Sequence, residues 1–100
     1  MKKFDGKSIY DEVENFYDGF AAVKRNGKWG FVNEQGEEVI PCKYDDAWSF
    51  FEGYDAVELD GKFGFVNKGE EVIPCKYDYV LPFSEGFAVV VLDGKCGFVN

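Results

Sequence analysis

The sequence predicts an all-β protein built from tandem β-hairpin or meander repeats of 33–34 residues stacked side by side, two full copies and a partial third. Three observations carry the prediction. The segment from Tyr44, YDDAWSFFEGYDAVELDGKFGFVNKGEEVIPCK, repeats the one from Tyr10, YDEVENFYDGFAAVKRNGKWGFVNEQGEEVIPCK, and a third copy, YDYVLPFSEGFAVVVLDGKCGFVN, runs from Tyr77 to Asn100. Asn26-Gly27, Asp60-Gly61 and Asp93-Gly94 fall at equivalent places, and Asx-Gly is the preferred two-residue hairpin turn because both positions need positive φ. Aromatic residues make up 19% of the chain, which suits large rings packed between repeating units.

The copies divide the chain into a cap segment at 1–9 and repeats at 10–43, 44–76 and 77–100, within one domain. Anchors recur at spacings of 34 and then 33: Phe16, Phe50 and Phe83; Gly19, Gly53 and Gly86; Gly30, Gly64 and Gly97; Asn33, Asn67 and Asn100. The missing residue falls where Glu34-Gln35-Gly36 becomes Lys68-Gly69, a turn, so the flanking strands keep their register.

Within a repeat, the opening stretch (Tyr44 to Phe50 in the second copy) reads as one helical turn or an irregular crossover, and Pro82 argues against a regular helix there. Phe20–Arg25 and Lys28–Asn33 are the two strands of the hairpin. A third strand, Glu37–Ile40, is expected to end at Pro41, as Glu70–Ile73 ends at Pro74, because proline donates no ladder hydrogen bond. Alternation places Phe20 and Ala22, with Tyr54, Ala56, Phe87 and Val89, on a packed face. It places Ala21, Asp55 and Ala88 toward solvent. Trp29, Phe63 and Cys96 share a face with Phe31, Phe65 and Phe98. The three glycines between them lie opposite, where a missing side chain admits another group closely.

Composition narrows the function. Nineteen acids against eleven bases give a net charge of −8, which disfavours direct binding to nucleic acid. Histidine is absent, excluding Ser-His and Cys-His couples and imidazole metal ligands. No carboxylate pair stands apart from its repeat equivalents as an acid–base pair would, so the chain is expected not to be an enzyme and to need no cofactor. Cys42, Cys75 and Cys96 are odd in number and form no C-x-x-C, and read as small, mostly buried hydrophobes in a reduced, cytoplasmic protein. No signal, transmembrane or lipidation pattern is present.

The pattern F-x-x-G-[FY]-x-[AV]-V-x-x-x-G-K-[WFC]-G-F-V-N, followed by G-E-E-V-I-P and K-Y-D, resembles the WG (KWG) β-repeat family of bacterial proteins over roughly residues 10–100. The Trp-Gly pair stands only at Trp29-Gly30. The resemblance implies short β-hairpin units with interaction or scaffolding roles in a bacterial or phage setting, and it transfers no catalytic residue.

Stacking sets Glu37 beside Glu70, Glu38 beside Glu71, and Asp11, Asp45 and Asp78 in a row. These read as solvated faces with Lys43 and Lys76 as counter-charges rather than as a Ca²⁺ site. The acid excess is local: residues 1–43 carry eight acids and seven bases, residues 44–93 eleven acids and three lysines. Asp45, Asp46, Glu52, Asp55, Glu58, Asp60, Glu70, Glu71, Asp78 and Glu85 are therefore the candidate partner-binding residues. The expected function is a protein-binding module with an acidic surface for a basic partner, such as a nucleic-acid-handling enzyme held by an inhibitor or immunity-type protein. The alternatives are self-assembly or scaffolding through the terminal strand edges and, behind it, carbohydrate or Ca²⁺ binding.

Overall fold

The computed structural model describes residues 9–49 and 53–100, with the backbone alone at Ser49. The cap segment as far as Ser8, the anchor Phe50 and the candidate Glu52 lie outside the described residues. Eleven strands are described, and they form three antiparallel sheets. The first is β1 (Glu12–Val13), β2 (Phe20–Arg25), β3 (Lys28–Asn33) and β4 (Glu38–Tyr44), in that spatial order. The second is β5 (Asp46–Ser49), β6 (Tyr54–Leu59), β7 (Lys62–Asn67) and β8 (Glu70–Tyr77). The third is β9 (Tyr79–Val80), β10 (Ala88–Leu92) and β11 (Lys95–Val99). Each repeat is thus one meandering layer. No helix among the described residues is long and apolar enough to cross a membrane.

The hairpin turns are as the sequence predicts: φ is 55° and 78° at Asn26-Gly27, 53° and 80° at Asp60-Gly61, and 52° and 77° at Asp93-Gly94. The opening stretch departs from expectation. It is not helical: it opens with a short strand, β1, β5 or β9, paired with the first hairpin strand of its layer, and in layers one and three it continues irregularly over 14–16 and 81–83. In the first layer a second tight turn, Asp18-Gly19, brings the chain into β2, with Tyr17 and Phe20 exchanging backbone hydrogen bonds at 2.8 and 3.0 Å.

Pro41 and Pro74 do not end their strands. Both β4 and β8 continue to the next tyrosine through a bulge in which three residues oppose one glycine. Trp29 pairs with Tyr44 and Phe31 with Ile40, so Pro41-Cys42-Lys43 arches over Gly30, and the same register sets Pro74-Cys75-Lys76 over Gly64. A Cβ on Gly30 would lie 2.5 Å from Ile40 O and 2.8 Å from Cys42 N. The arch turns Cys42 and Cys75 to the face opposite Ile40 and Ile73.

The layers stack face to face. Ala22, Phe31, Ile40 and Tyr44 of the first layer meet Val57 and Val66 of the second. Ala56, Phe65 and Ile73 of the second meet Val80, Phe83, Ala88 and Val90 of the third. Tyr54 stacks on Phe83 at 3.8 Å across that second boundary, and Phe65 meets the same ring edge-on at 4.8 Å. The expectation that Ala21 and Ala88 face solvent is corrected: the first layer is buried on both faces, and the third is packed on the Ala88 face and open on the other. Ala21 lies in a core with Tyr10, Val23 and Val32, and Ala88 lies in the core between layers two and three. Asp55 at the equivalent place is half-buried. In the third copy Phe83 is packed, but Phe87 and Phe98 are exposed on the outer face of the last layer, against the expectation that their positions pack.

Candidate functional site

The aspartate row is structural. Asp11, Asp45 and Asp78 accept through Oδ2 from the backbone N–H of Asn26, Asp60 and Asp93 at 3.0, 2.9 and 2.8 Å, so each holds the hairpin turn of its own layer. The other oxygen of Asp45 and of Asp78 takes the ammonium of Lys28 or Lys62 from the preceding layer, the latter at 2.5 Å. These lysines are the counter-charges of the aspartate row. Lys43 is, as expected, a counter-charge of a glutamate row, 3.9 Å from Glu71, whereas Lys76 lies over the Tyr77 ring. The lysine hydrogen bond first, and the turn N–H second, hold the Asp45 and Asp78 carboxyls below the usual carboxylate range.

The second glutamate row is engaged as well. Glu38 receives Arg25 in a two-pronged pair at 2.8 and 3.0 Å and the Tyr10 hydroxyl at 2.7 Å, and Glu71 receives the Tyr44 hydroxyl. Arg25 lowers the Glu38 carboxyl despite partial burial. Burial, then the Glu38 carboxylate, pushes the Tyr10 hydroxyl up to about 12, and Tyr44 is raised in the same way with Glu71. Cys42 and Cys75 have their thiols near the carbonyls of Val23 and Val57, at 4.0 and 3.7 Å, and burial raises both, Cys75 to about 11. Cys96 is exposed, which corrects the buried reading for that residue.

These shifts bound the pH range of stability. Below the ordinary carboxylate range the unfolded chain binds protons that folded Asp45, Asp78 and Glu38 refuse, so stability is present above it and falls as pH drops through the folded values. Above about 10 the unfolded tyrosine releases a proton that folded Tyr10 holds to about 12, so stability falls again as pH rises through that window. Thermal midpoints from pH 3 to 11 should form a plateau with two falling limbs. Asp45→Asn with Asp78→Asn should flatten the acid limb and Tyr10→Phe the alkaline one.

Of the other candidates, Asp46 accepts from the Ala47 N–H, and Asp55 and Glu85 each have a contact. Glu58, Asp60 and Glu70 form no ion pair among the described residues. Asp46 and Glu58 are brought directly opposite each other on β5 and β6. Beside Glu58 lies an open groove of about 290 Å³, walled by Trp48, Phe63 and Tyr79 and floored by Ala56 and Val80. Trp48 stacks on Phe63 at 5.7 Å, and Tyr79 meets Phe63 edge-on at 5.6 Å. Trp48 and Tyr79 remain 38% and 54% exposed, so their rings line a surface instead of filling a core. Sequence reasoning missed this groove. The signal was a break in the repeat: Trp48 stands where the flanking copies have Glu14 and Leu81, and Tyr79 where they have Glu12 and Asp46.

Among the described residues no cluster of potential metal ligands is found. No curated protein and no solved structure matches the chain significantly. The family model for the WG containing repeat matches three times, over residues 7–29, 29–63 and 63–96. Those matches span nearly the whole layered array, and the chain belongs to the family of WG-containing β-repeats.

Proposed function

We propose that this β-repeat is a non-enzymatic protein-binding module whose acidic, aromatic-walled flank on layers two and three engages a basic protein, in the manner of an inhibitor or immunity-type protein. The observation that supports it is the sorting of the acids. Asp45, Asp78 and Glu71 are consumed in holding turns and layers, whereas Glu58, Asp60 and Glu70 form no ion pair among the described residues, and Glu58 borders exposed rings. An aromatic surface bordered by the Glu58 carboxylate, on a layer that carries further acids outside ion pairs among the described residues, supplies contact area and electrostatic steering together.

The test is binding to a panel of purified basic proteins at low and high salt, comparing the native chain with Glu58→Gln/Asp60→Asn/Glu70→Gln. None of these three acids holds a turn or a layer, so the variant should fold. The native chain should bind at least one panel member in a salt-sensitive way, and the variant should lose about tenfold in affinity, roughly 1.4 kcal/mol. Binding that ignores salt, or that survives the triple change, would refute the proposal.

One observation favours a second reading, self-association: the outer face of layer three exposes Phe98 at 72% and Phe87 at 45%, positions that layers one and two cover. Sedimentation over a broad concentration range separates the two, because this reading requires a dimer that is indifferent to the acid substitutions.

A further inference from the structure

We infer that the groove between layers two and three is a seat for one cationic side chain, the ammonium of a lysine or the guanidinium of an arginine, presented by a basic protein. The inference rests on the binding role proposed above and specifies its chemistry.

The repeat itself shows what this position accepts. In layer one, Lys24 on β2 stands opposite Glu12 on β1, with an ion pair of 3.5 Å, and its ammonium lies 5.7 Å from the centre of the Trp29 ring. A cation between a carboxylate and an aromatic face therefore occurs at this location within the chain. In layer two every element of the arrangement returns except the cation. Phe63 replaces Trp29, Asp46 replaces Glu12, and Glu58 replaces Lys24. Two acids now oppose each other across β5 and β6, an unfavourable cross-strand pairing. In layer three Tyr79, Val91 and Cys96 occupy the positions of Asp46, Glu58 and Phe63, and no acid remains.

Layer two also gains what layer one lacks. Trp48 stacks on Phe63 and Tyr79 meets Phe63 edge-on, so three rings line one open groove together with Glu58. Ring faces attract cations, and the carboxylate supplies the counter-charge that Glu12 supplies to Lys24. An apolar occupant would gain the rings alone and leave Asp46 and Glu58 uncompensated. A cation gains both.

The test is a nuclear magnetic resonance titration of the whole chain with glycine-flanked peptides carrying one lysine, arginine, citrulline or norleucine. The lysine and arginine peptides should shift the Trp48 indole and the Tyr79 ring, and citrulline and norleucine should leave them in place at equal concentration. Glu58→Gln should weaken the response at least threefold. Glu58→Lys restores the layer-one pairing, so it should abolish the response and raise the thermal midpoint by relieving the repulsion with Asp46. Norleucine or citrulline binding as well as arginine, or an undiminished response in Glu58→Lys, would overturn the inference. The two proposals fail separately. A basic protein bound with salt sensitivity by both native chain and Glu58→Lys removes this inference and leaves the acidic-surface role standing. Charge-selective peptide shifts without any protein partner in the panel do the reverse.

Discussion

Replacing Gly64 with alanine is expected to cost more than about 3 kcal/mol, a large share of the total stability usual for a small domain. The cause is backbone, not side-chain, crowding. A Cβ at Gly64 would lie 2.7 Å from the Pro74 carbonyl carbon and its oxygen and closer still to the Ile73 oxygen. None of these atoms moves without lifting the three-residue arch of β8 away from β7. Gly30 sits under the equivalent arch of β4 and should respond in the same way. Gly97 holds the same repeat position, yet a Cβ there meets nothing within 4 Å, because among the described residues no strand lies on that side of β11. Gly97→Ala should be neutral or slightly stabilising, through the smaller freedom of the unfolded chain. Denaturant midpoints of the three variants check the claim. Equal effects at Gly64 and Gly97 would show that the glycine serves the hairpin itself and not the arch over it.

Phe65→Ala is expected to cost about 3–5 kcal/mol, and the equivalent change at Phe98 no more than about 0.5 kcal/mol. Phe65 is wholly buried between the second and third layers, edge-on to Tyr54 at 6.5 Å and to Phe83 at 4.8 Å. Truncating it opens a cavity between two sheets whose strands are already paired, so the gap closes only partially. Phe98 lies on the outer face and touches Phe87 alone among the described rings. Urea unfolding at low protein concentration measures both. A large loss at Phe98 would mean that the outer face is covered in solution, which is the self-association reading.

Much of the layer was legible because its determinants are local. Asn26-Gly27 and its two counterparts demand positive φ wherever they occur, so the hairpins and their register follow from dipeptides alone. The Asp18-Gly19 turn carried the same signal. The strand before it does not show in the sequence, because two residues are too few for alternation. Pro41 misled for a related reason. The rule that proline ends a strand holds for a regular ladder, and here the ladder is interrupted at that residue by the arch over Gly30.

The sequence by itself determined the repeat, the all-β class and the hairpin in each unit, because these depend on contacts a few residues apart. Only the tertiary structure decided what each face and each acid does. Alternation cannot distinguish a strand buried on both sides from one with a wet face when the second side is lined by alanine, as at Ala21, nor show which side of the last layer is open, as at Ala88. Nor can it show that Lys28 reaches across a layer boundary to Asp45, or that Trp48, Phe63 and Tyr79 converge from three strands. Those outcomes are set by how one sheet lies upon the next, and that offset is a property of the packed stack.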